Sequence, residues 1–177
     1  MKYVQFPLHP DTPLEGTLLA DFYRGRGIDP EQAYQRMAGL MAQEGLPYGR
    51  RTYTYNSRLA QELGKWADTQ PGGDKLHDAL FRAYFVEARN IGLPQELVAI
   101  AEAVGLPGAE AARVLNAREF SEAVDADWRR SAEAGVTGVP TFVAGGYGVV
   151  GAQPYEVLEQ LVQQVLAGKT PGAGQEP

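Results

Sequence analysis

Few side chains in this sequence of 177 residues could do covalent chemistry. It contains no cysteine, so these residues supply no thiolate for nucleophilic attack or disulfide exchange. The two histidines, His9 and His77, stand far apart and have neither metal-ligand nor nucleophile–base spacing. The serines lack the Gly-x-Ser-x-Gly elbow of hydrolases, and no glycine-rich loop opens a helix as a phosphate site requires. The residue types therefore direct attention to main-chain geometry.

The chain is organised around residues 135–153. Two apolar runs, 140–144 and 147–150, flank the dipeptide Gly145-Gly146, which supplies the positive φ angles of a two-residue hairpin. Pro140 opens the first strand, where its missing N–H does the least damage to the ladder. The pattern predicts an antiparallel hairpin.

A closing helix follows this hairpin. Pro154 suits a first helical turn, and apolar residues recur on one face over residues 155–166. A Val-Pro-Thr strand, a Gly-Gly hairpin and an amphipathic helix resemble the C-terminal half of a thioredoxin fold. In that fold the proline equivalent to Pro140 follows a cis peptide bond, although only about 5% of X-Pro bonds in folded proteins are cis.

Further motifs extend the resemblance along the chain. In order, they are Phe6-Pro7-Leu8-His9-Pro10-Asp11-Thr12-Pro13, Tyr55-Asn56-Ser57-Arg58-Leu59-Ala60, Leu80-Phe81-Arg82-Ala83-Tyr84-Phe85, Thr137-Gly138-Val139-Pro140-Thr141-Phe142-Val143 and Val150-Gly151-Ala152-Gln153-Pro154. Over residues 3 to 167 they resemble the DsbA family, in particular its FrnE-like branch. The resemblance implies an α/β, thioredoxin-like fold of the DsbA type. Its core segments would be residues 1–13 and 135–167, with a large all-helical insertion at 14–134.

The resemblance also implies a function, dithiol–disulfide exchange on protein or small-thiol substrates, with glutathione among the latter. The family's Cys-x-x-Cys pair starts a helix after the first strand and precedes the Phe-Pro-Leu-His-Pro stretch, which here begins at Phe6. We therefore expect the 177 residues to be redox-inactive, with no catalytic residue, metal or cofactor of their own. Two rival functions remain open: a cysteine-less peptide-binding or chaperone-like module, and a relative of glutathione-dependent 2-hydroxychromene-2-carboxylate isomerases and kappa-class glutathione transferases.

The absent unit includes the central strand of the sheet. Without it the hairpin exposes an unpaired edge. Three arrangements would remedy this: a natural chain that starts upstream, which we favour, a second chain as in a homodimer, or a shift of residues 3–8 onto the hairpin.

The substrate-binding residues that the resemblance implies are Gly138, Val139 and Pro140. The backbone of Val139 would face the substrate, because the cis peptide before Pro140 leaves it free to pair with an extended polypeptide. His9 follows the first predicted strand and is expected to face the missing redox site.

A second candidate site is Gly151-Ala152-Gln153, at the start of the last helix. Free N–H groups and the helix dipole favour an anion there. The alternative, which we favour, is a packed turn with Gln153 as a poor helix cap.

Hydrophobic periodicity and helix caps predict the elements around these sites. Residues 2–8 are interpreted as a strand, 46–55 as a loop and 168–177 as a disordered tail. Arg50-Arg51 and His77 are expected to be solvated. Helices are predicted at 14–23, from Pro30 to Gly45, after a cap at 56–57, from Asp74 to Phe85, and at 95–104, 109–115 and 119–134.

Charge and hydropathy limit the partners. The net charge of −6 argues against a nucleic-acid surface, which requires a Lys/Arg-rich face. No apolar run reaches the length of a membrane span, and the first residues lack signal-peptide character. The expectation is a cytoplasmic protein without nucleic-acid or membrane partners.

Overall fold

The computed structural model describes residues 2–168. The chain divides into two compact units, one made of Met1–Leu8 with Trp128–Pro177 and the other of His9–Asp127. Of the predicted tail, residues 169–177 lie outside the described residues. No helix within 2–168 combines the length and apolar character that a membrane crossing needs.

The larger unit is mostly helical. Its elements are β1 Thr17–Leu18, α1 Leu19–Arg24, α2 Pro30–Gln43, β2 Tyr53–Thr54, α3 Arg58–Ala67, α4 Lys75–Phe85, α5 Pro94–Ala103, α6 Gly108–Ala117 and the first part of α7 Ser121–Glu133. The two short strands are antiparallel, with Thr17 opposite Thr54 and Leu18 opposite Tyr53. The loop predicted at 46–55 therefore contains a strand. Its two-residue Thr-Tyr alternation pairs with a distant partner that local periodicity cannot reveal.

The core of this unit lies between helices α3 to α6. Their apolar faces bury a common cluster whose largest fully enclosed members are Trp66, Leu63, Leu76, Leu97 and Ile100. Burying such a side chain contributes about 1.5–3 kcal/mol, so this cluster favours packing of the helices against one another.

Local signals explain where several helices begin. The Asp29 side chain accepts a hydrogen bond from the Glu31 N–H at 2.9 Å, and Pro30 occupies the first helical turn of α2. Before α3, Asn56 Oδ1 accepts from the Arg58 N–H at 2.8 Å. The Asn56 amide also donates to Pro10 O at 3.0 Å and to Thr12 O at 2.7 Å, which ties down the proline-rich segment.

The prediction that His77 is solvated was wrong. Its ring is buried in α4, with Nε2 2.8 Å from Asp68 Oδ1. Asp68 ends the preceding helix, so the carboxylate that accommodates the buried imidazole comes from a different element.

A buried carboxylate connects three helices. Glu62 of α3 is 2% exposed and accepts from Arg58 Nε at 2.6 Å and from Arg118 Nε and Nη2, both at 2.7 Å. Arg58 also reaches Asp125 of α7 at 2.6 Å. Burial by itself raises the pKa of the Glu62 carboxyl, but the hydrogen bonds from Arg118 and Arg58 outweigh it and hold that pKa below its ordinary value.

Residues 46–52, between α2 and β2, are held at two points. The Gly49 N–H donates to Phe85 O at 2.9 Å, and Thr52 O accepts from the Leu19 N–H at 2.9 Å. A Cβ on Gly49 would collide with the carbonyl of Val86, so only glycine allows this approach to the end of α4.

The smaller unit contains the predicted hairpin and closing helix. Strand β3 Thr141–Ala144 pairs antiparallel with β4 Tyr147–Val150, and α8 Tyr155–Leu166 follows. Gly145 and Gly146 have φ angles of 55° and 84°, as the two-residue turn requires.

The strand predicted at residues 2–8 does not form. Residues 2–7 have no regular secondary structure, and Tyr3 and Val4 are exposed. A strand needs a neighbour to complete its hydrogen bonds, and within residues 2–168 the hairpin strands form a sheet of two without this segment. The shift of residues 3–8 onto the hairpin is therefore also absent from the described structure.

We expect Glu62→Gln to lower the free energy of unfolding by about 2–3 kcal/mol, because it leaves two guanidinium groups without their buried counter-charge. Urea unfolding followed by tryptophan fluorescence would measure this. Since the folded-state pKa of Glu62 is depressed, its contribution is present above the unfolded value of about 4.3 and is lost as the pH falls through the folded value. The deficit of the variant should therefore shrink in acid. Glu110→Gln is the matched control, because the side chain of Glu110 is 42% exposed, against 2% for Glu62. An equal loss in both variants would contradict the assignment.

We expect Gly49→Ala to destabilise the protein by about 1–3 kcal/mol, the usual cost of forcing an atom into filled space. Gly39, in the middle of α2, has open space around it, so Gly39→Ala should instead stabilise by about 0.5–1 kcal/mol. Thermal melts of the two variants would show whether the melting temperature falls for Gly49→Ala and rises for Gly39→Ala. A Gly49→Ala variant as stable as the parent would show that the loop is not anchored as described.

Candidate functional site

The candidate site is the start and free edge of β3. The Val139–Pro140 peptide bond is cis in the structure, the isomer that the resemblance implies, and Val139 is 48% exposed. The Thr141 hydroxyl donates to Gly138 O at 2.7 Å and closes the segment that precedes the strand. The three residues singled out from the sequence therefore form one turn that leads into β3.

The hairpin register decides which main-chain groups remain available. Gly151 N–H donates to Pro140 O at 2.7 Å, so this pair is hydrogen-bonded across the two strands. Hydrogen-bonded pairs alternate along an antiparallel ladder, so the N–H and C=O groups of Phe142 and Ala144 point toward β4. The N–H and C=O groups of Thr141 and Val143 consequently point to the opposite edge.

That edge is open in the described part of the chain. The sheet that contains β3 has two strands within residues 2–168, and both belong to the hairpin. Val143 is 60% exposed. A row of unpaired main-chain groups is a template for another extended segment.

Sequence reasoning predicted an unpaired edge but not its members. The signal was present in the spacing. A two-residue turn at 145–146 makes the flanking Ala144 a hydrogen-bonded residue, and Phe142, two residues earlier, is hydrogen-bonded to β4 in the same way. The residues between and before them, Val143 and Thr141, therefore lie on the outer edge.

The turn at 151–153 makes the contacts of a packed turn. Gly151 has φ 89° and commits its N–H to Pro140 O, while Gln153 Nε2 donates to Val150 O at 2.7 Å. Gln153 thus bonds backward to the strand and gives α8 no side-chain cap. Anion binding at Gly151, Ala152 and Gln153 stays a prediction.

His9 belongs to the larger unit. Its ring meets Phe22 edge-on with 4.7 Å between centroids. Partial burial, and next the charge of Arg26, lower the pKa of the His9 imidazole, so the neutral ring is favoured. Its expected role beside a redox centre stays a prediction.

Three comparisons with known proteins identify relatives. The family model of the DSBA-like thioredoxin domain matches residues 1–163. The uncharacterized protein YwbO of Bacillus subtilis is 33% identical over 105 residues, which are 59% of this chain and 52% of YwbO. The match thus spans about half the length of that curated relative.

Two solved structures share the fold. A probable DsbA oxidoreductase of Streptomyces coelicolor superposes with a TM-score of 0.83 at 29% identity, covering 96% of this chain and 76% of its own. A proposed protein disulfide isomerase of Nitrosomonas europaea gives a TM-score of 0.65 at 20% identity, covering 80% and 77%.

These findings confirm the DsbA-type thioredoxin-like fold class predicted from the sequence. Because the family model covers most of the residues, including the Pro140 turn, the hairpin and nearly all of α8, the chain belongs to the DSBA-like thioredoxin domain family.

Proposed function

We propose that these 177 residues are the substrate-docking part of a DsbA-like thiol–disulfide oxidoreductase whose redox cysteines lie outside the given sequence. The family assignment supports the reaction class, as does the similarity to a probable DsbA oxidoreductase. Disulfide exchange begins with thiolate attack on a disulfide sulfur, and the 177 residues contain no cysteine. Their part in the reaction is to hold the substrate.

The observation that carries the proposal is the turn of Gly138, Val139 and Pro140 that leads into β3, in which Val139 is 48% exposed. The edge formed by Thr141 and Val143 is the place that the central strand of the family would take, so in a longer chain the main chain of Val139 is the part that remains for the substrate. An unfolded or extended polypeptide can pair with that main chain irrespective of its own sequence. Low sequence selectivity suits an enzyme that acts on disulfides in many proteins.

The rival of a cysteine-less peptide-binding module would use the open edge of β3 itself, at Thr141 and Val143, and would carry out no disulfide exchange. The glutathione-dependent rival has less support, because the contacts of Gly151 and Gln153 are those of a packed turn.

In the 177-residue chain, where this edge is open in the described part, we expect Val143→Pro to weaken binding of an extended peptide about fivefold, because it removes one outward N–H and with it one main-chain hydrogen bond. Fluorescence anisotropy with a labelled, cysteine-free heptapeptide rich in valine and threonine would measure this. Val150→Pro is the matched control, since Val150 lies opposite Thr141, is 59% exposed and directs its N–H to the other edge of the hairpin. Equal affinity of Val143→Pro and the parent chain would exclude this edge as the docking site.

In an insulin-reduction assay with dithiothreitol, we expect the 177-residue chain to give turnover equal to the blank without enzyme, because it supplies no sulfur nucleophile. Turnover above the blank would contradict this expectation.

The protein purified from its source cells tests the wider proposal. An intact mass above 19.2 kDa together with insulin turnover would support an oxidoreductase with additional residues. A mass of 19.2 kDa without turnover would overturn it and leave the peptide-binding module.

A further inference from the structure

Two adjacent arginines between α2 and β2 have different surroundings. Arg50 donates from Nη1 and Nη2 to the two carboxylate oxygens of Glu31, at 2.7 and 3.0 Å. Its guanidinium also stacks on Tyr34, with Cζ 4.1 Å from the ring centroid. Arg50 thus has an aromatic ring on its face and a carboxylate at its edge.

Arg51 has the stacking partners without the carboxylate. Its Cζ lies 4.3 Å from the centroid of Tyr84 and 5.1 Å from that of Phe85. Nη1 is 3.5 Å from Tyr53 O, at the limit of a hydrogen bond. Nε is buried and has no partner, and no acidic side chain in the described part of the chain forms an ion pair with Arg51. The expectation that Arg50-Arg51 is a solvated pair was wrong for Arg51, which is partly buried.

This difference has a chemical consequence. Stacking uses the face of a guanidinium, whereas a carboxylate binds the N–H groups in its plane, so Tyr84 does not satisfy the Arg51 donors. The guanidinium of Arg51 carries a positive charge. Partial burial strips water from it and strengthens its attraction for an anion.

The neighbouring aromatic rings define the other half of the site. Tyr53 and Tyr55 are stacked with 6.0 Å between centroids and 11° between planes, and Tyr55 meets Tyr84 at 6.5 Å. Tyr53 is 38% exposed, so this stack presents a flat apolar surface to solvent. Burial, followed by the proximity of Tyr53 and Tyr84, raises the pKa of the Tyr55 hydroxyl, which keeps it neutral.

The site is held in place before any ligand arrives. Gly49 and Thr52, on either side of Arg51, are fixed by hydrogen bonds to Phe85 O and from the Leu19 N–H. The Tyr84 hydroxyl lies 3.0 Å from Thr54 Oγ1, which fixes the ring beneath the guanidinium. Little conformational entropy is therefore lost on binding.

We propose that Arg51, Tyr53, Tyr55 and Tyr84 form a binding site for a carboxylate ligand that carries a planar apolar group. A carboxylate fits better than a phosphate, because one guanidinium matches one planar, singly charged group, as Arg50 and Glu31 illustrate in the same loop. The planar group stacks on Tyr53. The site belongs to the larger unit, whereas the candidate site at β3 belongs to the smaller one.

The test compares phenylacetate with its neutral analogue phenylacetamide, by ligand-observed NMR titration of the full chain. We expect phenylacetate to bind more tightly, and R51Q to weaken it about tenfold through loss of a charge-assisted pair. R51K should retain part of the affinity. Exposed Arg36→Gln on α2 is the matched control and should leave binding unchanged.

A second variant separates binding from folding. Tyr53→Ala removes the exposed ring and should weaken the binding of phenylacetate, while the thermal melting temperature stays close to that of the parent chain. Equal affinity for phenylacetate and phenylacetamide, or R51Q binding as tightly as the parent with an unchanged melt, would overturn the proposal.

The source of the carboxylate is decided by one more probe. A doubly capped peptide with glutamate beside phenylalanine has no free terminal carboxylate. Tighter binding of this peptide than of phenylacetate would assign the site to acidic, aromatic segments of polypeptides. The reverse order would assign it to small aromatic carboxylates.

Discussion

The two-residue turn at Gly145-Gly146 is the constraint on which the open edge of β3 depends. It makes the flanking residues a hydrogen-bonded pair, and from that pair the alternation of the ladder assigns every main-chain group of β3 to one side. A turn that also took in Ala144 and Tyr147 would make Val143 and Gly148 the hydrogen-bonded pair, so that Thr141 and Val143 would face β4. Backbone geometry at two glycines thus decides which groups are available for docking.

Buried charged side chains in the larger unit differ in how completely their hydrogen-bonding groups are paired. The buried carboxylate of Glu62 has two guanidinium groups, and this network connects α3 with the C-terminal end of α6 and, through Arg58, with α7. Arg51 is also partly buried, but the partners of its guanidinium among residues 2–168 are aromatic rings and the Tyr53 carbonyl at 3.5 Å. The first arrangement is complete within the chain and stabilises it. The second leaves donors unused, which is why it is the stronger candidate for a ligand site.

The sequence predicted most of what is decided locally. Caps such as Asp29, apolar periodicity and the Gly-Gly turn specified the main helices and the hairpin, and motif order specified the family. Features that depend on distant partners could not be predicted. Residues 2–8 have strand composition but pair with neither two-stranded sheet of the described chain. Strand β2 pairs with β1 although 34 residues, 19 to 52, separate them in the sequence. The imidazole of His77 is buried beside a carboxylate of another element.

The sulfur chemistry of the family and the docking of a polypeptide depend on different chemical groups, so the two tasks can be carried by different residues. Sulfur chemistry depends on particular side chains, and their absence from 177 residues removes the reaction from those residues entirely. Docking at a strand edge depends on peptide groups that any residue except proline supplies. The docking proposed for this chain therefore does not require a thiol among the docking residues. The proposed carboxylate site is different, because it depends on the guanidinium of Arg51 and would not survive its replacement by a neutral side chain.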